Sequence, residues 1–277
     1  MRSIPVVAAL VLLSVACDKK SGDGGQAVAL GPSPTPTAVN IEPQASNLLR
    51  IGIDQTYSAT VQWSNGTSTT QSAAWRSDAP QVATIDNAGH ARALGAGEAT
   101  LVAAYQNVEG KLRIRVVPNY HGVWHGTAAL RTCRENAGWL ESHLCDELRS
   151  FGDLQSTLDV TQEGDRLSGM FTVDDVDATI DSGAIRIDGS ASFTARKSEI
   201  VDGLTLNVVF DPVELRSNGD TIAATFTMTA SSPAVSGDVR AEFEASQLAR
   251  GGNGLQLQAR PRTGGLWTLF TPRRATN

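Results

Sequence analysis

The stretch Ala73–Ala103, AAWRSDAPQVATIDNAGHARALGAGEATLVA, constrains the fold more than any other part of the chain. Short runs of alternating apolar and polar residues are cut by Pro80, by Asp86-Asn87 with Gly89, and by Gly95 and Gly97. Alternation with period two sends successive side chains to opposite faces of a strand, and breakers at this spacing leave no room for a helix. The same rhythm continues on both sides. In Gln55–Trp63, Tyr57, Ala59, Val61 and Trp63 share one face, and Asn65-Gly66 then supplies a hairpin turn because both positions tolerate positive φ. Ala99, Leu101 and Ala103 point inward from Glu98–Tyr105. Leu112, Ile114 and Val116 do the same from the next strand, while Lys111, Arg113 and Arg115 form its outer face. Val39–Ile41 is a short leading strand, and Trp75 is expected as a plug in the core. About seven short strands within about eighty residues make a β-sandwich the expected architecture for residues 38–117.

The order Trp75-Arg76-Ser77-Asp78, Val82-Ala83-Thr84-Ile85-Asp86, Gly89 and Gly97-Glu98-Ala99-Thr100-Leu101-Val102-Ala103, with the upstream Asn65-Gly66-Thr67 hairpin, resembles the bacterial immunoglobulin-like domain of group 2. The resemblance covers nearly all of residues 38–117. It implies a sandwich of the kind used in surface adhesins or as a spacer in envelope proteins, and it implies no catalytic residues.

Pro118-Asn119 marks a boundary, and residues 118–277 are expected to form a second all-β domain. It starts at His121-Gly122-Val123-Trp124-His125-Gly126 and continues as a strand to Thr132. Arg134–Ser150 breaks the β rhythm. There Trp139, Leu140, Leu144 and Leu148 make a helical stripe that includes Cys145. Strands are then expected over Leu154–Gln162, Leu167–Val173, Ala178–Ile180, Ala184–Ala195, Leu204–Phe210, Val213–Arg216, Ile222–Ala230, Val239–Gln247, Leu255–Ala259 and Leu266–Thr271, with turns at Ser182-Gly183 and Asn218-Gly219-Asp220 among others. Successive hairpins suggest an antiparallel meander, either a sandwich or a barrel. Closure into a barrel removes exposed edges. Gly122-x-Trp124-x-Gly126, Leu167-Ser168-Gly169 and the late arginines weakly resemble the lipocalin-like barrels. That resemblance implies that Trp124 packs at a closed end against an arginine from late in the chain, Arg273 or one of Arg260, Arg262 and Arg274.

The N-terminus reads as a targeting segment. Arg2 is followed by an apolar run, Ile4–Ala16, too short to span a bilayer. Leu13-Ser14-Val15-Ala16-Cys17 resembles a bacterial lipoprotein signal, which implies lipid on Cys17; Ser14 stands where that motif prefers leucine. Ser14-Val15-Ala16 also suits ordinary cleavage and secretion. The expected organisation is a signal peptide over 1–16, a tether over 17–37 rich in glycine and proline, and the two β-domains. Either export route places the chain in the bacterial cell envelope or beyond it, and a lipid on Cys17 makes the membrane its first partner. If Cys17 carries lipid, Cys133 and Cys145 are left as a pair in an oxidising compartment.

Composition narrows the function. With 41% hydrophobic residues the chain can bury real cores, and a net charge of −6 argues against a nucleic-acid partner. His121, His125 and His143 with the two cysteines invite a metal site, but residues four apart on a strand lie about 13 Å apart and the cysteine spacing is not that of zinc sites. Asp174, Asp175, Asp177 and Asp181 lack the pattern of a calcium loop and read as a solvated run. The stripe Lys111, Arg113 and Arg115 reads as a solvent face. No nucleophile elbow, phosphate loop or dinucleotide fingerprint is present, so no catalytic residue, metal or cofactor is expected. The expected role is a non-enzymatic binding module that meets a surface glycan or protein. A lipocalin-like carrier of an apolar ligand and a secreted glycan-active enzyme are the alternatives.

Overall fold

The first ten strands wrap a small apolar core in three short sheets. The computed structural model describes residues 32–44, 47–136, 143–201, 203–234, 237–251 and 265–270. Strands β1 (Pro36–Glu42), β4 (Ser58–Trp63) and β5 (Ser68–Gln71) form one sheet. β2 (Leu48–Arg50), β10 (Val108–Val117), β9 (Gly97–Tyr105) and β6 (Ala74–Ser77) form the facing one. β3 (Asp54–Thr56), β8 (His90–Ala93) and β7 (Ala83–Ile85) form the third. Val39, Ile41, Ala59, Val61, Leu101, Ala103, Ile114 and Val116 are buried between them.

The run Gln55–Trp63 is not one strand, as its alternation suggests, but two in different sheets. The chain switches sheets at Tyr57, whose buried backbone N–H donates to the Gly89 carbonyl at 2.8 Å. Gly89 has φ +83°, and a Cβ there would lie 2.1 Å from the Tyr57 oxygen, so only glycine fits. Trp75 is half-buried at the core's margin and not the expected plug. Its strand, β6, is the edge of its sheet, and the ring packs against the cluster as a partly buried neighbour.

β11 (Gly122–Glu135), β12 (Leu154–Glu163), β13 (Arg166–Val173), β14 (Val176–Ile185), β15 (Ala191–Val201), β16 (Leu204–Ser217), β17 (Thr221–Ser231) and β18 (Asp238–Arg250) follow as an antiparallel meander. β11 also pairs with β18, so the sheet closes into a barrel. Alternation decides what faces the lumen. Along β12, Leu154, Leu158 and Val160 are buried, while Gln155, Thr157 and Asp159 face out. Along β17, Ile222, Phe226 and Met228 are buried, while Thr225, Thr227 and Thr229 face out. An apolar interior with a polar exterior is the inverse of a lipid-embedded barrel, so these strands form a barrel that faces water.

Three sequence expectations are corrected here. Leu204–Phe210 and Val213–Arg216 are one strand, β16, interrupted by a register shift at which Phe210 and Val213 are both buried. Ser182-Gly183 is likewise a register shift inside β14 and not a turn. A bulge and a turn leave the same local mark in a sequence. Conversely, Ala184–Ala195 is not continuous: a turn at residues 186–190 separates β14 from β15.

Two helices cover one end of the barrel. α1 (Leu144–Phe151) buries Leu144, Cys145 and Leu148, and packs on β11 and β18. The expected final strand is instead a one-turn helix, α2 (Leu266–Leu269), with Leu266, Leu269 and Phe270 in the barrel's core cluster. Its first N–H groups are met from across the chain: Asp174 accepts from Leu266 at 2.7 Å and Asp175 from Trp267 at 2.6 Å. The acidic run is thus partly a helix cap, a role invisible to local pattern. Cys133 and Cys145 are joined by a disulfide with Cα atoms 5.6 Å apart, tying the end of β11 to α1. Glu135 accepts the N–H groups of His143 and Cys145 at the same helix start.

At the other end the barrel meets the sandwich, and the described residues from Thr35 onward form one compact unit. Arg115 is not on a solvent face. One of its η nitrogens donates to Asp165 at 3.0 Å and the other to the Ile185 carbonyl at 2.6 Å, with the side chain 23% exposed. Pro118 and Tyr120 are buried. Gln162 accepts the Tyr120 N–H at 2.8 Å and donates to the carbonyls of Pro118 at 3.1 Å and Gly164 at 3.0 Å. Leu48 and Val117 of the sandwich join the barrel's core cluster.

Two outcomes follow. Replacing Arg115 by Ala removes two charge-assisted bonds in a half-buried setting and is expected to cost about 1–3 kcal/mol. Urea unfolding measures the cost, and small-angle scattering should show a wider spread of distances between the two halves. Reduction, or replacing both Cys133 and Cys145 by Ser, releases a loop of 12-residue separation and is expected to cost about 3 kcal/mol in the chain-entropy model. An unchanged urea midpoint for the double variant would exclude that contribution.

Candidate binding cleft

The turns that dock the barrel on the sandwich also enclose a cleft. It is walled by Ile51, Ala96 and Pro118 on one side and by the turns 186–190 and 217–221 on the other, with a volume of about 530 Å³. The barrel turns bring Asp188, Arg216 and Asp220 to it, and Arg250 comes from the end of β18. Gly189 has φ +82° and lies so close to the sandwich that a Cβ would meet Ala96 Cβ at 2.6 Å. The turn therefore rests directly on the other domain.

Most polar groups around this cleft are already engaged. Asp188 Oδ1 accepts the Ser190 hydroxyl at 2.6 Å and the Ser190 N–H at 3.0 Å. The hydroxyl, then the N–H, hold this carboxyl below its ordinary range. Behind it, Arg186 grips Glu214 through both η nitrogens, at 2.6 and 2.9 Å, which likewise lowers the Glu214 pKa. Tyr120 donates its hydroxyl to the Gly189 carbonyl at 2.8 Å, and burial pushes its pKa up to about 12, so it stays a neutral donor. Arg250 donates to the carbonyls of His121 at 2.9 Å and Asn119 at 2.8 Å. Two groups differ. Among the described residues neither the Arg216 nor the Asp220 side chain makes a hydrogen bond or an ion pair; the Arg216 guanidinium acts on Asp188, Glu214 and Tyr120 only through its field.

Trp124 is fully buried beneath the cleft, with its indole N–H donated to the Tyr120 carbonyl at 2.8 Å. The Arg250 guanidinium lies 4.3 Å from the centre of its ring. The residue stacked on Trp124 is therefore Arg250. Arg273, like Arg260, Arg262 and Arg274, lies outside the described residues, as does Cys17.

The other sites read from sequence are placed as follows. Among the described residues no three His, Cys, Asp or Glu side chains come together as metal ligands. His125 is bonded to Thr157 at 3.1 Å and His143 sits at the start of α1. Asp177 accepts the Thr172 hydroxyl at 2.8 Å, and Asp181 meets Arg196 at 2.6 Å. Inside the barrel, Phe171 packs edge-on against Phe193, Phe210 and Phe226 with ring centres 5.0–5.7 Å apart, and Phe226 stacks on Phe243 at 5.1 Å. Pockets lined by described residues, of about 530, 480 and 270 Å³, lie at the joint, on the β3–β8–β7 sheet and beside the disulfide, all outside the lumen. The rings occupy space that a carrier needs for its ligand.

Sequence reasoning did not find Asp188, Arg216 or Asp220. The turn Asn218-Gly219-Asp220 was legible, but the wall opposite it comes from residues more than a hundred positions earlier, as far back as Ile51.

Comparison with known proteins separates the two halves. No curated protein matches the chain. Among solved structures, the S-layer protein SbsC, domains 5–6, is 16% identical over 75% of this chain and 98% of that one, with a TM-score of 0.28. The surface layer protein SbsC, domains 4–9, is 13% identical over 75% of this chain and 31% of that one, with a TM-score of 0.29. The family model described as bacterial Ig-like domain (group 2) matches residues 36–116, and β1 to β10 of this chain are a bacterial immunoglobulin-like domain of that group.

Proposed function

We propose that this chain is a non-enzymatic interaction module of the bacterial cell envelope, tethered through lipid on Cys17 and binding a surface glycan or protein with its outer surfaces. The observation that carries the reading is the fixed union of a bacterial immunoglobulin-like domain with a barrel whose interior is filled by its own side chains. Among the described residues the pockets given lie outside the lumen, which leaves surfaces and loops for recognition. The export segment Ile4–Ala16 and the Cys17 behind it support the location. The disulfide between Cys133 and Cys145 agrees with an oxidising compartment.

Two measurements test this. Expressed in a bacterial host, the wild-type chain should incorporate labelled palmitate and fractionate with membranes, and the Cys17→Ser chain should do neither. Label in the variant, or none in the wild type, would refute the lipid anchor. The chain from residue 18 onward should sediment saturably with isolated cell envelopes, and binding that never saturates would remove the interaction role.

A further inference from the structure

The cleft at the joint combines charged and apolar groups. Its walls carry two carboxylates, Asp188 and Asp220, and two guanidinium groups, Arg216 and Arg250, so its formal charge sums to zero. A balanced site neither attracts a polyanion nor a polycation. Within that balance Asp188 and Arg250 are satisfied by the protein itself, whereas Arg216 and Asp220 have no hydrogen-bond or ion-pair partner among the described residues. A neutral ligand would leave both side chains without a direct ion pair, since Arg216 reaches Asp188 and Glu214 only through its field. A ligand bearing one carboxylate and one ammonium would meet both, and a guanidinium fork is suited to grip a carboxylate.

The third feature is apolar. Ile51 lines the cleft and continues into an exposed strip with Ile53 and Leu94, which are 37%, 46% and 46% exposed. The backbone links them, since Gly52 N–H donates to the Ala93 carbonyl at 2.9 Å and Ala93 N–H to the Ile53 carbonyl at 3.1 Å. Ile187, 60% exposed, stands on the barrel turn that rests on Ala96. Of these exposed apolar side chains Ile51 lines the cleft itself, and Ile53, Leu94 and Ile187 stand on the segments that lead to it. Such clustering next to a cleft of ligand size marks a recognition surface.

We propose that the joint cleft binds a short peptide with both ends free, its C-terminal carboxylate on Arg216, its N-terminal ammonium on Asp220 and an apolar side chain against Ile51. The assignment rests on reading the protein as a binding module and names the ligand class for it. The cleft is already formed without ligand, because Arg115, Gln162 and Tyr120 hold the two walls in place. Binding then loses little to ordering.

The test uses the full chain purified in detergent and isothermal titration with three probes: alanyl-leucine, N-acetyl-alanyl-leucine and alanyl-leucine amide. The unblocked dipeptide should bind saturably, and blocking either end should weaken binding at least about tenfold, the loss of one charge-assisted contact. Arg216→Gln should bind the dipeptide and its amide equally, and Asp220→Asn should bind the dipeptide and its acetyl form equally. Both residues are exposed, so both variants should keep the wild-type urea midpoint. No saturable heat with the dipeptide, equal affinity for all three probes, or variants that keep the wild-type preferences would overturn the assignment. The two proposals fail separately: saturable envelope binding without dipeptide binding removes the cleft ligand and leaves the module. Dipeptide binding without envelope binding does the reverse.

Discussion

The joint between the domains rests on one buried amide. Gln162 sits at the end of β12 where the chain from the sandwich enters the barrel, and it satisfies the Tyr120 N–H and the carbonyls of Pro118 and Gly164 together. A connecting segment buried without such a partner leaves its backbone groups unpaired, at a cost of about 1–3 kcal/mol each. With them paired, Pro118 and Tyr120 can lie inside the protein, Tyr120 can reach the Gly189 carbonyl, and the turn bearing Gly189 can rest on Ala96. Arg115 completes the contact from the sandwich side by reaching Asp165 and the Ile185 carbonyl, groups at two further strand ends. The connection is short, polar and enclosed, and so behaves as a fixed joint in place of a linker. Arg115 Nε is enclosed there without a partner of its own, so the guanidinium is held mainly by its two η nitrogens.

The barrel is closed by different means at its two ends. Near the joint, Trp124 plugs the interior, its N–H is used by the Tyr120 carbonyl, and Arg250 covers the ring face while capping carbonyls that precede β11. At the far end, α1 and α2 add leucines and Phe270 to the core. Neither helix is long enough to be stable alone. α1 is held by the disulfide and by Glu135, and α2 by the carboxylates of Asp174 and Asp175 with Lys197 over Trp267 at 4.6 Å. These helices exist because tertiary contacts supply what eight and four residues cannot.

Much of this was legible in the sequence, and the division follows range of interaction. The sandwich and the barrel strands came through because period-two alternation records which face is buried, as in Leu154, Leu158 and Val160. Where the chain bends without turning back, at the register shifts in β14 and β16, the pattern breaks as it does at a turn, and the two cannot be told apart locally. The reverse error occurred at residues 186–190. There Ile185 and Ile187 continue an alternation although Ile187 is exposed in a turn. Leu266–Thr271 is short and apolar, as a strand is, and the caps that make α2 a helix lie 92 positions away. Of the cleft, Trp124 was expected to pack against a late arginine, and a stacked arginine is found, but at Arg250. Arg115 looked like one tooth of a basic stripe, and nothing local separates it from Lys111 and Arg113.

The same geometry decides where recognition can reside. Among the described residues interlocking phenylalanine rings occupy the barrel's interior, so recognition falls to its turns and outer faces. At the far end, the turn between β13 and β14 is committed to capping α2. At the joint, the turns 186–190 and 217–221 carry charged side chains beyond what docking consumes. Arg186 and Glu214 neutralise each other, Asp188 is held by Ser190, and Arg216 and Asp220 are left over. Unspent charge at a solvated turn tip is unremarkable by itself. Placed at the mouth of a preformed cleft against an isoleucine from another domain, it acquires an address, because only the fixed joint keeps Ile51 opposite that turn. Any change that loosens the Gln162 and Arg115 contacts should therefore disturb the cleft before it disturbs either domain's core.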